Sequence, residues 1–216
     1  MTRPSISKPI TLRWLLMTIG YALIICGILL RFASLLNSCL EYDELFTAIT
    51  VNPTVSFWWI IKNYLIIDVH PPLFNYLLWL WNHAGPWTSE IYMHSFSLLC
   101  SLLAVGIGWF CFPKRLGRTA RFIFMGLLCC EAVDIIYSSQ ARSYSLLLLC
   151  SVALTFSALE VWHCLQNNKP LSWRNYGVFC ISGLLAGYTH YFGLATFCAF
   201  ALFLVGAGYY FRRCMW

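Results

Sequence analysis

Long uninterrupted apolar stretches dominate this sequence, and most run to about 20 residues, enough for a helix to cross a hydrocarbon core of about 30 Å. Of the 216 residues, 60% are hydrophobic and only 10% are charged, whereas about 25% of a soluble domain is charged. A water-soluble fold of this length could not bury so much apolar surface. The sequence therefore predicts an all-α, polytopic transmembrane helical bundle and excludes a soluble enzyme, a nucleic-acid-binding module and a disordered chain.

About six spans are predicted within a single membrane module covering residues 1–216. They are Trp14–Leu36, Ile91–Phe112, Ala120–Tyr137, Tyr144–Val161, Tyr176–Tyr188 and Phe192–Phe211. Residues 37–90 form a loop between the first two spans, with two shorter amphipathic stretches, Val55–Ile67 and Leu73–Trp81. Both stretches carry Trp and Tyr, which prefer the headgroup level. We therefore expect two helices lying along the outer membrane surface.

The basic residues predict the orientation of the spans. Eleven of the 14 Lys and Arg residues fall in the N-terminal segment, in two of the later loops and after the last span. Since cytoplasmic loops carry an excess of Lys and Arg, these segments are predicted to be cytoplasmic. The N-terminus, with Arg3, Lys8 and Arg13, then lies in the cytoplasm, and the loop containing Asp43 lies outside. The net charge of +6 thus reflects topology and indicates no nucleic-acid partner.

Side chains that could carry chemistry are predicted to meet on the external face. They are Asp43, Glu44, Asp68, His70, Gln140, Arg142, Tyr144 and His190. Ionisable groups near a membrane are costly and are candidates for function by default. The adjacent Asp43 and Glu44 could act as general base and orienting group, or bind Mg²⁺ or Mn²⁺ together with Asp68. A solvated acidic loop would also explain the pair.

Two further motifs each allow a chemical and a structural interpretation. In Asp68-Val-His-Pro-Pro-Leu, the two prolines fix the backbone before the second surface helix, so Asp68 and His70 could position an acceptor or simply form a rigid turn. Arg142 lies among hydroxyl groups in Tyr137-Ser-Ser-Gln-Ala-Arg-Ser-Tyr. An arginine in such a setting suits a phosphate group, although a headgroup anchor is the alternative.

Taken in order, these motifs resemble a known group of enzymes. They are Arg31, Tyr42-Asp43-Glu44, Asp68-Val-His-Pro-Pro-Leu73, the Tyr137–Tyr144 segment and Thr189-His190-Tyr191. The chain is similar, from roughly Gly27 to Phe211, to membrane glycosyltransferases of the GT-C superfamily. The resemblance is closest to the dolichyl-phosphate-mannose–protein mannosyltransferases and their bacterial relatives, glycosyltransferase family 39. Those proteins are longer, so the chain is expected to correspond to their N-terminal catalytic module.

The resemblance implies transfer of a sugar from a polyprenyl-phosphate carrier to a protein or glycan acceptor, on the external face of a bacterial inner membrane. Asp43 would deprotonate the acceptor hydroxyl, with inversion at the anomeric carbon, and Glu44 would support it. Asp68 and His70 would line the acceptor side, and Arg142 would offset the charge of the donor phosphate. The remaining substrate-binding residues would be His94, Gln140, Tyr144 and His190, with His94 standing where the family usually has an arginine.

Two alternatives to an enzyme stay open. One is a non-catalytic protein that binds a lipid-linked sugar or acts as a scaffold. The other is a small transporter or flippase in which Glu131 and Asp134 form a proton path. A transporter needs polar groups through the middle of the membrane, whereas the acids here concentrate towards one face. The sequence leaves the sugar, the acceptor, the oligomeric state and any need for a metal ion open.

Overall fold

A computed structural model describes residues 10–66, 68, 70–86 and 88–213. The predicted N-terminal residues Arg3 and Lys8 lie outside this range. The α-helices are α1 (Ile10–Asn37), α2 (Tyr42–Thr50), α3 (Phe57–Ile60), α4 (Leu73–Asn82), α5 (Glu90–Phe110), α6 (Gly117–Cys130), α7 (Ala132–Tyr137), α8 (Tyr144–Gln166), α9 (Trp173–Thr189) and α10 (Tyr191–Arg213). A π-helical turn, Ile61–Leu65, continues α3, and a 3₁₀ turn, Lys114–Leu116, precedes α6. The described residues include no strand, and the all-α prediction is confirmed.

Four helices are long and apolar enough to cross a membrane, which supports a membrane protein. They are Met17–Asn37 within α1, Glu90–Phe110, Tyr144–Gln166 and Tyr191–Phe211. The predicted span Tyr176–Tyr188 corresponds to α9, whose 17 residues fall short of the about 20 expected for a span. The predicted span Ala120–Tyr137 is two helices, because α6 ends before Glu131 and α7 begins after it.

The interruption at Glu131 is stabilised by Arg31, which is fully buried. Its guanidinium donates to the carbonyl oxygens of Leu128 at 2.8 Å and Cys129 at 2.7 Å, and its Nε donates to Ser101 at 2.8 Å. In a continuous helix those carbonyls would accept from amides four residues on. Arg31 satisfies them, and its charge suits the negative end of the helix dipole. Arg31 thus connects α1 to both α5 and α6 through buried hydrogen bonds.

Helix α8 lies at the centre of the bundle, in contact with α5, α9 and α10, while α1 packs on α5 and α6. Arg115, before α6, pairs with Glu160 near the end of α8. At the other end, the hydroxyl of Ser145 donates to the carbonyl of Tyr137 at 2.8 Å. Helices α6 and α7 therefore together run alongside most of α8. The loops after α1, α7 and α9 consequently meet at one end of the bundle.

The segment between α1 and α5 differs from the prediction in one important respect. Asp43 and Glu44 lie in the first turn of α2, which the sequence analysis did not predict, rather than in an acidic loop. The first predicted surface helix, Val55–Ile67, forms as α3 and the π-helical turn, and its last residue lies outside the described range. The second, Leu73–Trp81, agrees with α4 to one residue.

Candidate functional site

The first turn of α2 is joined to the turn before α8 by three contacts between facing residues. Gln140 donates to the Glu41 carboxylate at 2.8 Å, the Ala141 amide donates to the Glu44 carboxylate, and Arg142 donates to the Asp43 carbonyl oxygen at 3.1 Å. We call this set of three contacts the α2 clamp. Since its two sides are about 100 residues apart in sequence, the clamp fixes the relative positions of two otherwise independent segments.

Two neighbouring cavities flank the α2 clamp. The first, of about 320 Å³, lies between α2 and α7 and is lined by residues including Glu41, Val133, Ile136, Tyr137 and Gln140. The second, of about 260 Å³, lies between α2 and α4 and is lined by residues including Phe46, Asp68, His70, Phe74 and Asn75. Asp43 and Arg142 line both cavities. The two residues therefore stand at the boundary between them.

Asp43 and Arg142 form an accessible acid–base pair at this boundary. A guanidinium nitrogen of Arg142 lies 3.7 Å from the Asp43 carboxylate, whose side chain is 72% exposed. The guanidinium also lies 6.0 Å from the ring centre of Tyr144, which in turn stacks on Tyr137 at 4.2 Å. Asp43 can therefore meet a substrate in either cavity, while Arg142 is held from two sides.

Glu44, by contrast, is 1% exposed. Its carboxylate accepts from the amides of Glu41, at 2.9 Å, and Ala141, and lies 3.0 Å from Nε2 of His94. Burial alone would raise the pKa of Glu44, but the contacts with His94, Glu41 and Ala141 outweigh it and hold that pKa below its ordinary value. Glu44 also lines the first cavity, but both of its oxygens already have partners that hold it in place, and its supporting role beside Asp43 stays a prediction.

The predicted substrate-binding role of His94 needs correction. Its side chain is fully buried, and it is not among the residues lining either cavity. Its Nδ1 lies 2.8 Å from the hydroxyl of Ser38. Its Nε2 lies 3.0 Å from a carboxylate oxygen of Glu44, in a geometry too bent for a regular hydrogen bond. Because an ionised carboxylate can only accept, Nε2 is the ring nitrogen that would donate towards Glu44.

Asp68 and His70 line the second cavity together with Asp43. The Asp68 carboxylate accepts from the backbone amide of His70 at 3.1 Å and lies 3.3 Å from its Nδ1. The ring of His190 packs edge-on against that of His70, with centroids 5.0 Å apart. Burial, then His70 and Arg142, lower the pKa of His190, which favours a neutral ring. His190 therefore supports the wall of the cavity from behind and is not one of its lining residues.

The metal site that the sequence allowed is not assembled. Within the described ranges, no three His, Cys, Asp or Glu side chains are grouped so that they could hold a metal ion. Asp43 and Glu44 are adjacent on α2, so their side chains diverge, and Glu44 turns inwards to His94. Asp43, Glu44 and Asp68 therefore do not share a binding point in this structure.

Three contributors to the site were not identified from the sequence: Glu41, Asn75 and the Ala141 amide. Glu41 and Glu44 have the spacing of a capping box, a signal that was present in the sequence. The roles of Asn75 and Ala141 depend on contacts between distant segments. In comparisons with protein-family models, with curated proteins and with solved structures, no match to this chain was found.

Proposed function

We propose that this chain is a membrane glycosyltransferase that moves a sugar from a polyprenyl-phosphate carrier to an acceptor hydroxyl, with inversion. The observation that carries the proposal is the position of Asp43 and Arg142 at the boundary of two adjoining cavities. A transfer reaction needs two substrates side by side with a base and a cation between them. The ordered motifs of the sequence support the same reaction.

The first cavity suits the carrier phosphate. Arg142 offers a fixed guanidinium, which matches phosphate geometry, and the polar Gln140 lies beside it. Val133 and Ile136 of α7, about half exposed, form an apolar wall on which the start of a prenyl chain can lie. Since phosphate leaves as an anion, stabilising its charge is the main electrostatic task of the site.

The second cavity suits the acceptor, because Asp43, Asp68 and Asn75 can all accept hydrogen bonds from hydroxyl groups. In the proposed step the acceptor oxygen bonds to the anomeric carbon as the bond from that carbon to the phosphate oxygen breaks. The hydroxyl proton moves to Asp43, and polyprenyl phosphate leaves beside Arg142. Attack from the face opposite the phosphate inverts the anomeric centre.

The site is proposed to face outwards from a bacterial inner membrane, with α6–α7 and α9 as two further crossings beside the four long helices. The meeting of the loops after α1, α7 and α9 at one end of the bundle supports this arrangement. The basic residues Lys114, Arg115 and Arg118 lie at the opposite end, before or at the start of α6, where positive charge favours the cytoplasm.

The test is sugar transfer in liposomes containing the purified chain, with a panel of radiolabelled polyprenyl-phosphate sugars and a mixture of glycan and peptide acceptors. Asp43→Asn should lower the rate by about 10³-fold, within the range for a general base, while carrier binding stays near the wild-type value. Glu90→Gln is the matched control, because Glu90 is an exposed acid outside both cavities and glutamine keeps an oxygen that can accept from the Leu40 amide. Carrier binding without transfer in any sample would instead favour a non-catalytic binding protein, and absence of both would overturn the proposal.

A further inference from the structure

A buried line of polar groups lies directly beneath the α2 clamp. It runs from Ser38, at the end of α1, through His94 of α5 to Glu44 of α2. His94 and Glu44 are 0% and 1% exposed, so their contact is formed away from water, where electrostatic interactions are strong. The Glu44 carboxylate in turn accepts from the Ala141 amide, the residue next to Arg142.

Each contact in this line restricts the position of the next residue. Glu44 lines the first cavity, and buried His94 contacts its carboxylate from the interior, at the same oxygen that accepts from the Ala141 amide. The position of Ala141 sets where the Arg142 side chain begins, and hence its distance from Asp43. A buried carboxylate with no partner at this point would favour moving outwards into water, because uncompensated charge in a protein interior is costly.

We propose that His94 is a positioning residue that acts through Glu44 to hold Arg142 at its distance from Asp43. This inference rests on the proposed transfer reaction and assigns His94 a role without substrate contact. A displacement of about 1 Å at a reacting centre can lower a rate by about 10²-fold. Because the guanidinium stays in the cavity and is only displaced, His94 should affect the turnover of bound substrates much more than the affinity for the carrier.

The variants are His94→Phe, which keeps a ring but removes the N–H, and His94→Gln, whose amide restores a donor of similar reach. Ser97→Ala is the matched control, because Ser97 lies one turn further along α5, is equally buried, and has a hydroxyl with no hydrogen-bond partner in the described part of the chain. Two quantities are measured: kcat and KM for the carrier in the liposome assay, and hydrogen–deuterium exchange at the Ala141 amide.

For H94F we expect kcat to fall by about 10²-fold, KM for the carrier to change by less than about 3-fold, and exchange at Ala141 to rise by about 10-fold. H94Q should recover most of both, and S97A should match the wild type. Unchanged kcat and exchange in H94F would overturn the inference, as would a change confined to KM, which would make His94 a carrier contact.

The exchange measurement separates this inference from the proposed function. If the wild type transfers no sugar but H94F still exposes the Ala141 amide, the proposed reaction fails and the link from His94 to the clamp is supported. If the wild type is active and H94F exchanges like it, the link fails alone. Should H94F not fold, His94→Asn takes its place, since its shorter amide cannot replace Nε2.

Discussion

One guanidinium nitrogen of Arg142 lies 3.1 Å from the main-chain carbonyl of Asp43 and 3.7 Å from its carboxylate. The hydrogen bond to the carbonyl fixes the arginine regardless of where the Asp43 side chain turns. The carboxylate can therefore reorient towards a substrate without releasing the cation. This arrangement suits a pair of groups that must act on two different molecules.

Arg142 should contribute both binding and turnover. We expect Arg142→Ala to weaken carrier binding and to lower transfer by about 10²-fold or more, because the departing phosphate loses its counter-charge. Arg142→Lys should recover part of the binding but less of the rate, since an ammonium lacks the planar fork. Liposome assays measure both effects. Lys62→Ala, an exposed cation packed on Trp58, is the control, and equal losses in both alanine variants would contradict a specific role.

Replacing Arg31 should destabilise the bundle. Arg31→Met would leave the carbonyls of Leu128 and Cys129 without their donors in a dry interior, at a cost of about 3 kcal/mol or more. We expect a clear fall in the apparent Tm of the detergent-solubilised protein. Arg118→Met changes an exposed arginine near the opposite end of α6 and should have little effect. Equal Tm values for the two variants would show that Arg31 does not stabilise the interruption.

Gly27 should tolerate no side chain. An added Cβ would lie 2.2 Å from the carbonyl oxygen of Cys129, so Gly27→Ala must push α1 away from α6. We expect destabilisation of about 1–3 kcal/mol, as for other overpacked sites. Gly206→Ala is the matched control in α10, because its Cβ would meet nothing within 4 Å and alanine favours a helix. A Tm of Gly27→Ala at or above that of the control would contradict the close approach.

The buried Glu44 carboxylate should make stability depend on acidity. Its pKa in the folded protein lies below the ordinary value of 4.5, so its contribution is fully present above that pH. The contribution is lost as the pH falls through the lowered folded value. Thermal unfolding between pH 7 and pH 3 should therefore show a smaller acid-induced loss for Glu44→Gln than for the wild type. Parallel curves would mean that Glu44 is not held ionised by its partners.

The lengths and positions of the apolar runs were enough to place the long helices. The predicted span Ile91–Phe112 agrees with α5 to within two residues, and Tyr144 begins both the predicted and the observed α8. The interruption at Glu131 could not be predicted in this way, because it depends on Arg31, about 100 residues earlier. An apolar pattern alone gives no sign that a helix will stop where a distant cation satisfies its carbonyls.

In the candidate site, too, local sequence motifs predict some features, and others depend on contacts between distant residues. Sequence motifs were enough to predict that Asp43, Asp68, His70 and Arg142 would meet at one end of the bundle, since alternating spans bring every second loop to the same side. They could not show which of the two neighbouring carboxylates, Asp43 or Glu44, would be buried. The buried position of Glu44 depends on contacts with His94, on another helix, and with the amides of Glu41 and Ala141, whereas the Asp43 side chain is 72% exposed.

The partners of Arg31 also constrain the order in which the chain can assemble in the membrane. The Cys129 carbonyl that it binds is 98 residues further along, so α1 is made long before that acceptor exists. Until α6 arrives, the guanidinium has to reach water at the end of α1, six residues away, as long basic side chains do near helix ends. The final packing of α1 against α6 can consequently form only after more than half of these 216 residues have been synthesised.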